Sequence, residues 1–143
     1  MGRILAIDYG QKRVGLAVTD EGQIIATALD TVHSKDIIQY LKNYTSIEKV
    51  DSFVVGEPKQ MNNQLSEAVK FIDPFIKKLK KEFPDIGIER YDERFTSKMA
   101  FDTMIAAGLK KKDRQNKETV DKISAVLILQ SYMEYRAANR MRR

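Results

Sequence analysis

Three acidic residues lie where burial would be expected to exclude a charge. Asp8 ends the apolar run ILAI, Glu93 directly follows the segment IGIERYD, and Asp121 lies in an apolar helical pattern. An ionised carboxylate in such surroundings is unfavourable unless a cation or hydrogen-bond donors compensate. Three carboxylates brought together repel one another, and divalent cations relieve that repulsion. Because no His or Cys accompanies these acids, the pattern favours Mg²⁺ or Mn²⁺ over zinc.

Carboxylates that hold two divalent ions about 4 Å apart support the hydrolysis of a phosphodiester, because the ions activate water and stabilise the leaving oxygen. Each acid also has an ordinary explanation. Asp8 precedes a Tyr-Gly pair and suits a turn, Asp121 in the second turn of a helix favours the helix dipole, and Glu93 beside Arg94 suits an exposed ion pair. The metal-site interpretation therefore requires that the fold bring all three acids to one place.

The predicted elements can do this. The hydrophobic patterns predict the order βββαβαβαα, with strands near residues 4–8, 14–19, 24–32, 52–56 and 86–92. Helices are predicted from Ser34, over residues 65–79, after Thr96 or Ser97, and from about Asn116 to Tyr135. Pro74 should kink or split the second of these helices. This order indicates an α/β fold in which three antiparallel strands and then parallel strands form one five-stranded mixed sheet with helices on both faces.

Asp121 has a defined position in this pattern. It shares a helix face with Ser124, Ala125 and Ile128, and the small residues there predict that this stripe approaches the sheet most closely. On the second strand, bulky Val14, Leu16 and Val18 alternate with smaller residues, which predicts one face suited to close helix packing.

Length and composition limit the class of protein. The chain has 143 residues, the size of one domain, and contains no cysteine, so disulfides and Cys-ligated zinc are excluded. The first strand begins almost at the N-terminus, and no apolar run approaches the length of a membrane span. We therefore expect a cytoplasmic protein without a membrane association, present as a monomer or weak homodimer.

The positive charge is concentrated at the C-terminal end. The net charge is +5, and residues 110–143 contain ten Lys or Arg against four Asp or Glu. Clustered cations suit a nucleic-acid partner, although a solvated helix end would show the same composition. Candidate phosphate contacts in this quarter are Lys110, Lys111, Lys112 and Arg114.

Four segments resemble the YqgF family of ribonuclease H-like nucleases, which are relatives of Holliday-junction resolvases. They are AIDYGQKRVGLAVTD, VVGEPKQMNN, YDERFTS and VDKISAVLILQ, in this order along nearly the whole chain. The resemblance implies a ribonuclease H-like fold and an acidic triad of Asp8, Glu93 and Asp121 that binds Mg²⁺ or Mn²⁺. It also implies that Lys12, Arg13 and Arg94 contact the substrate or order the site.

The resemblance further implies a nuclease that processes the 5′ end of pre-16S rRNA, with cleavage of four-way DNA junctions as an alternative. The chain departs from the family pattern after the fourth strand, where Glu57 replaces the usual Leu. An actin-like ATPase is disfavoured because it needs two such domains. A non-catalytic nucleic-acid-binding protein on the same fold remains the other alternative. We expect residues 1–138 to form the nuclease domain and residues 139–143 a basic tail.

Overall fold

The computed structural model describes residues 2–10, 12–57, 69–92 and 117–141. The strands are β1 (Arg3–Tyr9), β2 (Arg13–Thr19), β3 (Ala26–His33), β4 (Val50–Glu57) and β5 (Gly87–Asp92). A 3₁₀ turn (Ser34–Asp36) leads into α1 (Ile37–Ile47), and the other described helices are α2 (Val69–Glu82) and α3 (Lys117–Met141). The helix predicted after Thr96 or Ser97 falls outside the described residues.

The strands form one mixed sheet in the order β3-β2-β1-β4-β5. β1 pairs antiparallel with β2, and β2 pairs antiparallel with β3. β4 pairs parallel with β1 and with β5. Since β1, β4 and β5 run in the same direction, their carboxyl ends lie at one edge of the sheet. The arrangement confirms the predicted mixed sheet of three antiparallel and then parallel strands.

Helices cover both faces of the sheet, as predicted. The apolar run in β1 divides between the faces by strand alternation: Leu5 and Ile7 join a core with α1 and α2, whereas Ile4 and Ala6 join a core with α3. β1 is therefore buried on both sides, which explains its unbroken apolar sequence.

The two faces of β2 also differ as the sequence predicted. Val14, Leu16 and Val18 belong to the core shared with α1 and α2. Ala17 belongs to the core shared with α3, and α3 packs chiefly over β2 and β3. A small residue beneath α3 lets the helix approach the sheet closely.

Several element ends differ from the predicted ones. β3 begins at Ala26 rather than Ile24, because the Asp20 carboxylate accepts hydrogen bonds from the backbone N–H of Ile24 (2.7 Å) and Ile25 (2.9 Å) and holds both in the turn. Before α1, the His33 Nδ1 accepts a hydrogen bond from Lys35 N (3.2 Å), so His33 caps the 3₁₀ turn.

The two longest described helices are each continuous. α2 runs through Pro74 without dividing, and α3 extends to Met141, beyond the end predicted near Tyr135. No helix among the described residues combines the length and apolar composition needed to cross a lipid bilayer.

Candidate functional site

Asp8 is the penultimate residue of β1, at the edge where the three parallel strands end. It pairs with Gly15 of β2, and it lies one residue beyond the Ile7–Val55 pair, at the level of Gly56 in β4. Strand alternation places its half-buried side chain on the α3 face, with Ala6. The carboxylate therefore lies between two strand positions that have no side chain.

The turn between β1 and β2 lies at the same edge. Gly10 N donates a hydrogen bond to Arg13 O at 3.0 Å, and a Cβ at position 10 would lie 2.6 Å from that oxygen, so this turn requires glycine. The turn leads to Lys12, which is exposed, and Arg13, which is half-buried. Ser34 N donates to Lys12 O at 3.0 Å and fixes the turn to the 3₁₀ turn that precedes α1. Two of the predicted substrate-binding cations are thus held next to the end of β1.

Asp121 lies in α3, where the backbone defines its position. It precedes Ala125 by one turn and Ile128 by two turns, and both of these residues are fully buried against the sheet. The helix stripe through Ala125 and Ile128 therefore faces the sheet, as predicted, and Asp121 lies in line with that stripe one turn earlier.

The direction of α3 follows from contacts in its second half. Arg136 Nη1 donates to Gln23 Oε1 at 3.4 Å, and Gln23 Nε2 donates to Gly2 O at 2.6 Å, beside the start of β1. The carboxyl half of α3 thus lies at the edge opposite Asp8, and its amino-terminal end points toward the Asp8 edge. Between Asp121 and Arg136 the helix rises about 22 Å, which is about the length of a seven-residue strand such as β1.

The other predicted site residues fall outside the described part of the chain. Glu93 and Arg94 follow Asp92, the last residue of β5, which ends at the Asp8 edge. Also outside it are Lys110, Lys111, Lys112 and Arg114. No cluster of three His, Cys, Asp or Glu side chains forms a metal site within the described residues.

The donor chemistry at the Asp8 edge suits a hard cation. The Asp8 carboxylate offers the hard oxygen ligands that Mg²⁺ and Mn²⁺ prefer in proteins. Sequence analysis missed the two flanking glycines. The run of small residues at alternate positions of β2, which begins with Gly15, and the glycine near the end of β4 are the local signals for them.

A family model described as RuvX, Holliday junction resolvase, matches residues 2–135. The chain belongs to the RuvX family. This is the family that the sequence resemblance named YqgF, so that resemblance is confirmed. Two RuvX-family relatives carry the provisional name pre-16S rRNA nuclease. The protein from Flavobacterium psychrophilum is 59% identical over 133 residues, which cover 93% of this chain and 97% of the relative. The protein from Bacteroides fragilis is 56% identical over 134 residues, with coverage of 94% and 97%.

Solved structures show the same fold. The Thermus thermophilus RuvC structure in complex with a Holliday junction substrate superposes with a TM-score of 0.57 at 15% identity, covering 94% of this chain and 97% of that one. The fowlpox virus Holliday junction resolvase gives a TM-score of 0.56 at 20% identity, covering 93% and 98%. The predicted ribonuclease H-like fold is confirmed.

Proposed function

We propose that this RuvX-family chain is a nuclease that uses Mg²⁺ or Mn²⁺ to hydrolyse phosphodiester bonds at the 5′ end of pre-16S rRNA. Relatives named for this substrate align over almost their full length at 59% and 56% identity. The single observation that carries the chemistry is the position of Asp8, on a rigid central strand and between two glycines. A strand end fixed by the sheet is a suitable support for a ligand whose position must be exact to a fraction of an ångström.

In this proposal Asp8, Glu93 and Asp121 hold the cation. When bound, it supplies an activated water and neutralises charge on the leaving oxygen. The protein's own cations would orient the substrate. The Gly10 turn holds Lys12 and Arg13 beside the strand end, where their charges would orient a phosphate.

Cations in the rest of the chain would bind the substrate on either side of the cleaved bond. We assign Arg94 to the site itself, and Lys110, Lys111, Lys112 and Arg114 to phosphates farther along the strand. In this scheme residues 1–138 form the nuclease domain, the basic end beyond it adds phosphate contacts, and the protein acts in the cytoplasm on precursor ribosomal RNA.

Cleavage of four-way DNA is the second candidate, because the matching family model is described as a Holliday junction resolvase. Both reactions break a phosphodiester bond, and the same carboxylates would serve either. Discrimination between RNA and DNA depends on contacts to the 2′-hydroxyl and on groove shape. The third possibility is a protein that binds nucleic acid without cleaving it.

One experiment separates these three functions. Purified protein is incubated with a pre-16S rRNA fragment and with a four-way DNA junction, in Mg²⁺ and in EDTA. We expect cleavage of the rRNA fragment in Mg²⁺ alone. Preferential cleavage of the junction would favour the resolvase, and binding of both substrates without cleavage would favour the non-catalytic protein.

Variants test the triad. Asp8→Asn, Glu93→Gln and Asp121→Asn should each reduce cleavage by about 10²-fold or more while the protein stays folded, since losing one of three crowded carboxylates relieves repulsion. Glu134→Gln is the matched control, because Glu134 is exposed on the carboxyl half of α3. If all three triad variants cleave as fast as this control, the triad assignment is wrong.

A further inference from the structure

A cleft of about 300 Å³ opens on the face of the sheet opposite Asp8, between the start of α1 and the middle of α2. This volume is at the lower end of the range for small-ligand sites and suits one nucleotide rather than a folded domain. The cleft is lined by Tyr9, Ser34, Lys35, Ile37, Ile38, Pro74, Phe75 and Lys78.

The floor of the cleft is apolar and partly aromatic. The rings of Tyr9 and Phe75 stack with their centroids 4.2 Å apart and their planes within 15° of parallel. Phe75 and Ile37 are buried. Because Phe75 is buried and covers one face of the Tyr9 ring, the half-buried Tyr9 ring is the aromatic surface open to a nucleobase. Stacking of a base on such a ring tolerates any base identity.

The walls of the cleft are cationic. Lys35 and Lys78 are both exposed, and neither ammonium group lies within ion-pair distance of a carboxylate in the described part of the chain. The acids of α2 have other partners: Asp73 pairs with Arg90 at 2.7 Å, and Glu82 pairs with Lys42 at 2.8 Å. α2 itself contains five lysines and these two acids. The α2 side of the cleft therefore carries a net positive charge, whereas on the other side Lys35 is followed by the exposed acid Asp36.

The cleft is adjacent to the candidate cleavage site. Tyr9 follows Asp8 in β1, so their Cα atoms are about 3.8 Å apart, and strand alternation sends the two side chains to opposite faces. A strand of nucleic acid that crosses this edge of the sheet would pass from one to the other within a few nucleotides.

We propose that this cleft binds one nucleotide of a single-stranded segment flanking the cleaved bond, with the base on the Tyr9–Phe75 floor and the adjacent phosphates beside Lys35 and Lys78. The proposal rests on the proposed function, because it assumes a nucleic-acid substrate at the Asp8 edge. It adds a requirement for an unpaired flank, which a purely duplex substrate would not satisfy.

The test is a binding measurement in EDTA, which prevents metal-dependent cleavage. Fluorescence anisotropy gives Kd for an RNA hairpin with a short single-stranded flank and for the same hairpin with a blunt end. The double variant Lys35→Ala/Lys78→Ala should lose about 25-fold in affinity for the flanked hairpin at 0.1 M salt. It should also reduce the slope of log K against log salt by about 1.4, since each single-strand phosphate contact contributes about 0.7. Its affinity for the blunt hairpin should be unchanged.

Lys80→Ala is the matched control, because Lys80 is an exposed lysine of the same helix that does not line the cleft. An abasic flank tests the floor, and we expect it to bind wild-type protein at least about fivefold more weakly than the intact flank. The proposal is overturned if the double variant behaves like Lys80→Ala, or if it weakens binding to flanked and blunt hairpins equally.

The binding result is independent of the proposed nuclease activity. If wild-type protein prefers the flanked hairpin but cleaves nothing in Mg²⁺, the nuclease proposal fails and the cleft assignment stands. If it cleaves pre-16S rRNA but the double variant keeps full affinity for the flanked hairpin, only the cleft assignment fails.

Discussion

The substitution Gly10→Ala tests whether the turn between β1 and β2 positions the candidate site. The new Cβ would lie 2.6 Å from Arg13 O, and to reach ordinary contact at 3.4 Å that oxygen must withdraw by about 0.8 Å. The same movement lengthens the hydrogen bond from Gly10 N, now 3.0 Å, to about 3.8 Å, which is beyond hydrogen-bond range. The turn must therefore open next to Asp8.

The expected loss of stability combines three contributions. The lost hydrogen bond costs about 0.5–1.5 kcal/mol, and the crowding costs about 1–3 kcal/mol. The reduced entropy of the unfolded chain returns about 0.4–1 kcal/mol. We expect a net loss of about 1–3 kcal/mol in the free energy of unfolding. For a chain of 143 residues this corresponds to a fall of about 3–10 °C in Tm.

The matched control is Gly87→Ala at the start of β5. A Cβ there would meet Ser52 Cβ at 3.8 Å and Asp51 O at 3.9 Å, both ordinary contacts. Its Tm should stay the same or rise by up to about 3 °C. Differential scanning fluorimetry compares the two variants with wild-type protein.

Cleavage of pre-16S rRNA, measured where both variants are folded, gives the functional result. Because a shift of about 1 Å in a positioning group costs up to about 10²-fold in rate, Gly10→Ala should lower kcat/KM by roughly 10- to 100-fold and Gly87→Ala should not. The reasoning is refuted if Gly10→Ala melts within one degree of wild type and cleaves at the wild-type rate.

Three further predictions concern metal, a buried hydroxyl and pH. Mn²⁺ at about ten times its Kd should stabilise wild-type protein by about 1.4 kcal/mol and should stabilise Asp121→Asn much less. The measurement is the Tm of each protein with and without Mn²⁺, and equal Tm shifts in the two would mean that the ion binds away from Asp121. Thr19 is fully buried, and its Oγ1 accepts a hydrogen bond from the Ile4 N–H at 2.9 Å, so Thr19→Val should lower the free energy of unfolding in urea by about 1–3 kcal/mol. The same change at exposed Thr27 should lower it by less than about 0.5 kcal/mol. Similar values for both variants would contradict this. Burial, together with the charge and hydrogen bond of Asp30, raises the pKa of Tyr40 from 10.0 to about 12. Above pH 10 the unfolded chain therefore releases a proton that the folded chain retains, so stability should be full below pH 10 and fall toward pH 12, and Tyr40→Phe should lack that part of the fall; parallel curves for the two proteins would exclude this linkage.

Much of the fold could be predicted from the sequence because local patterns report burial directly. The apolar run of β1 indicated a strand covered on both faces, and the alternation in β2 identified its helix-packing face. The spacing of Ala125 and Ile128 placed Asp121 in line with the sheet-facing stripe of α3. The strand ends were less accurate, since a side-chain contact such as Asp20 with Ile24 ends an element without changing its hydrophobic pattern.

The surroundings of Asp8 were decided by the tertiary structure alone. Strand order and register bring Gly56, 48 positions later in the chain, beside Asp8, and they turn Tyr9 toward Phe75 on the opposite face. A local pattern records whether a residue is buried, but it carries no information about which distant residue lies next to it. The sequence alone therefore predicted which residues could do chemistry, and it correctly placed Asp8 on a strand and Asp121 on a helix. The pairing of β1 with β4 determined which residues flank Asp8, and the packing of α2 against the sheet created the cleft on the opposite face. Only the tertiary structure decides these features, because both depend on contacts between segments far apart in the chain.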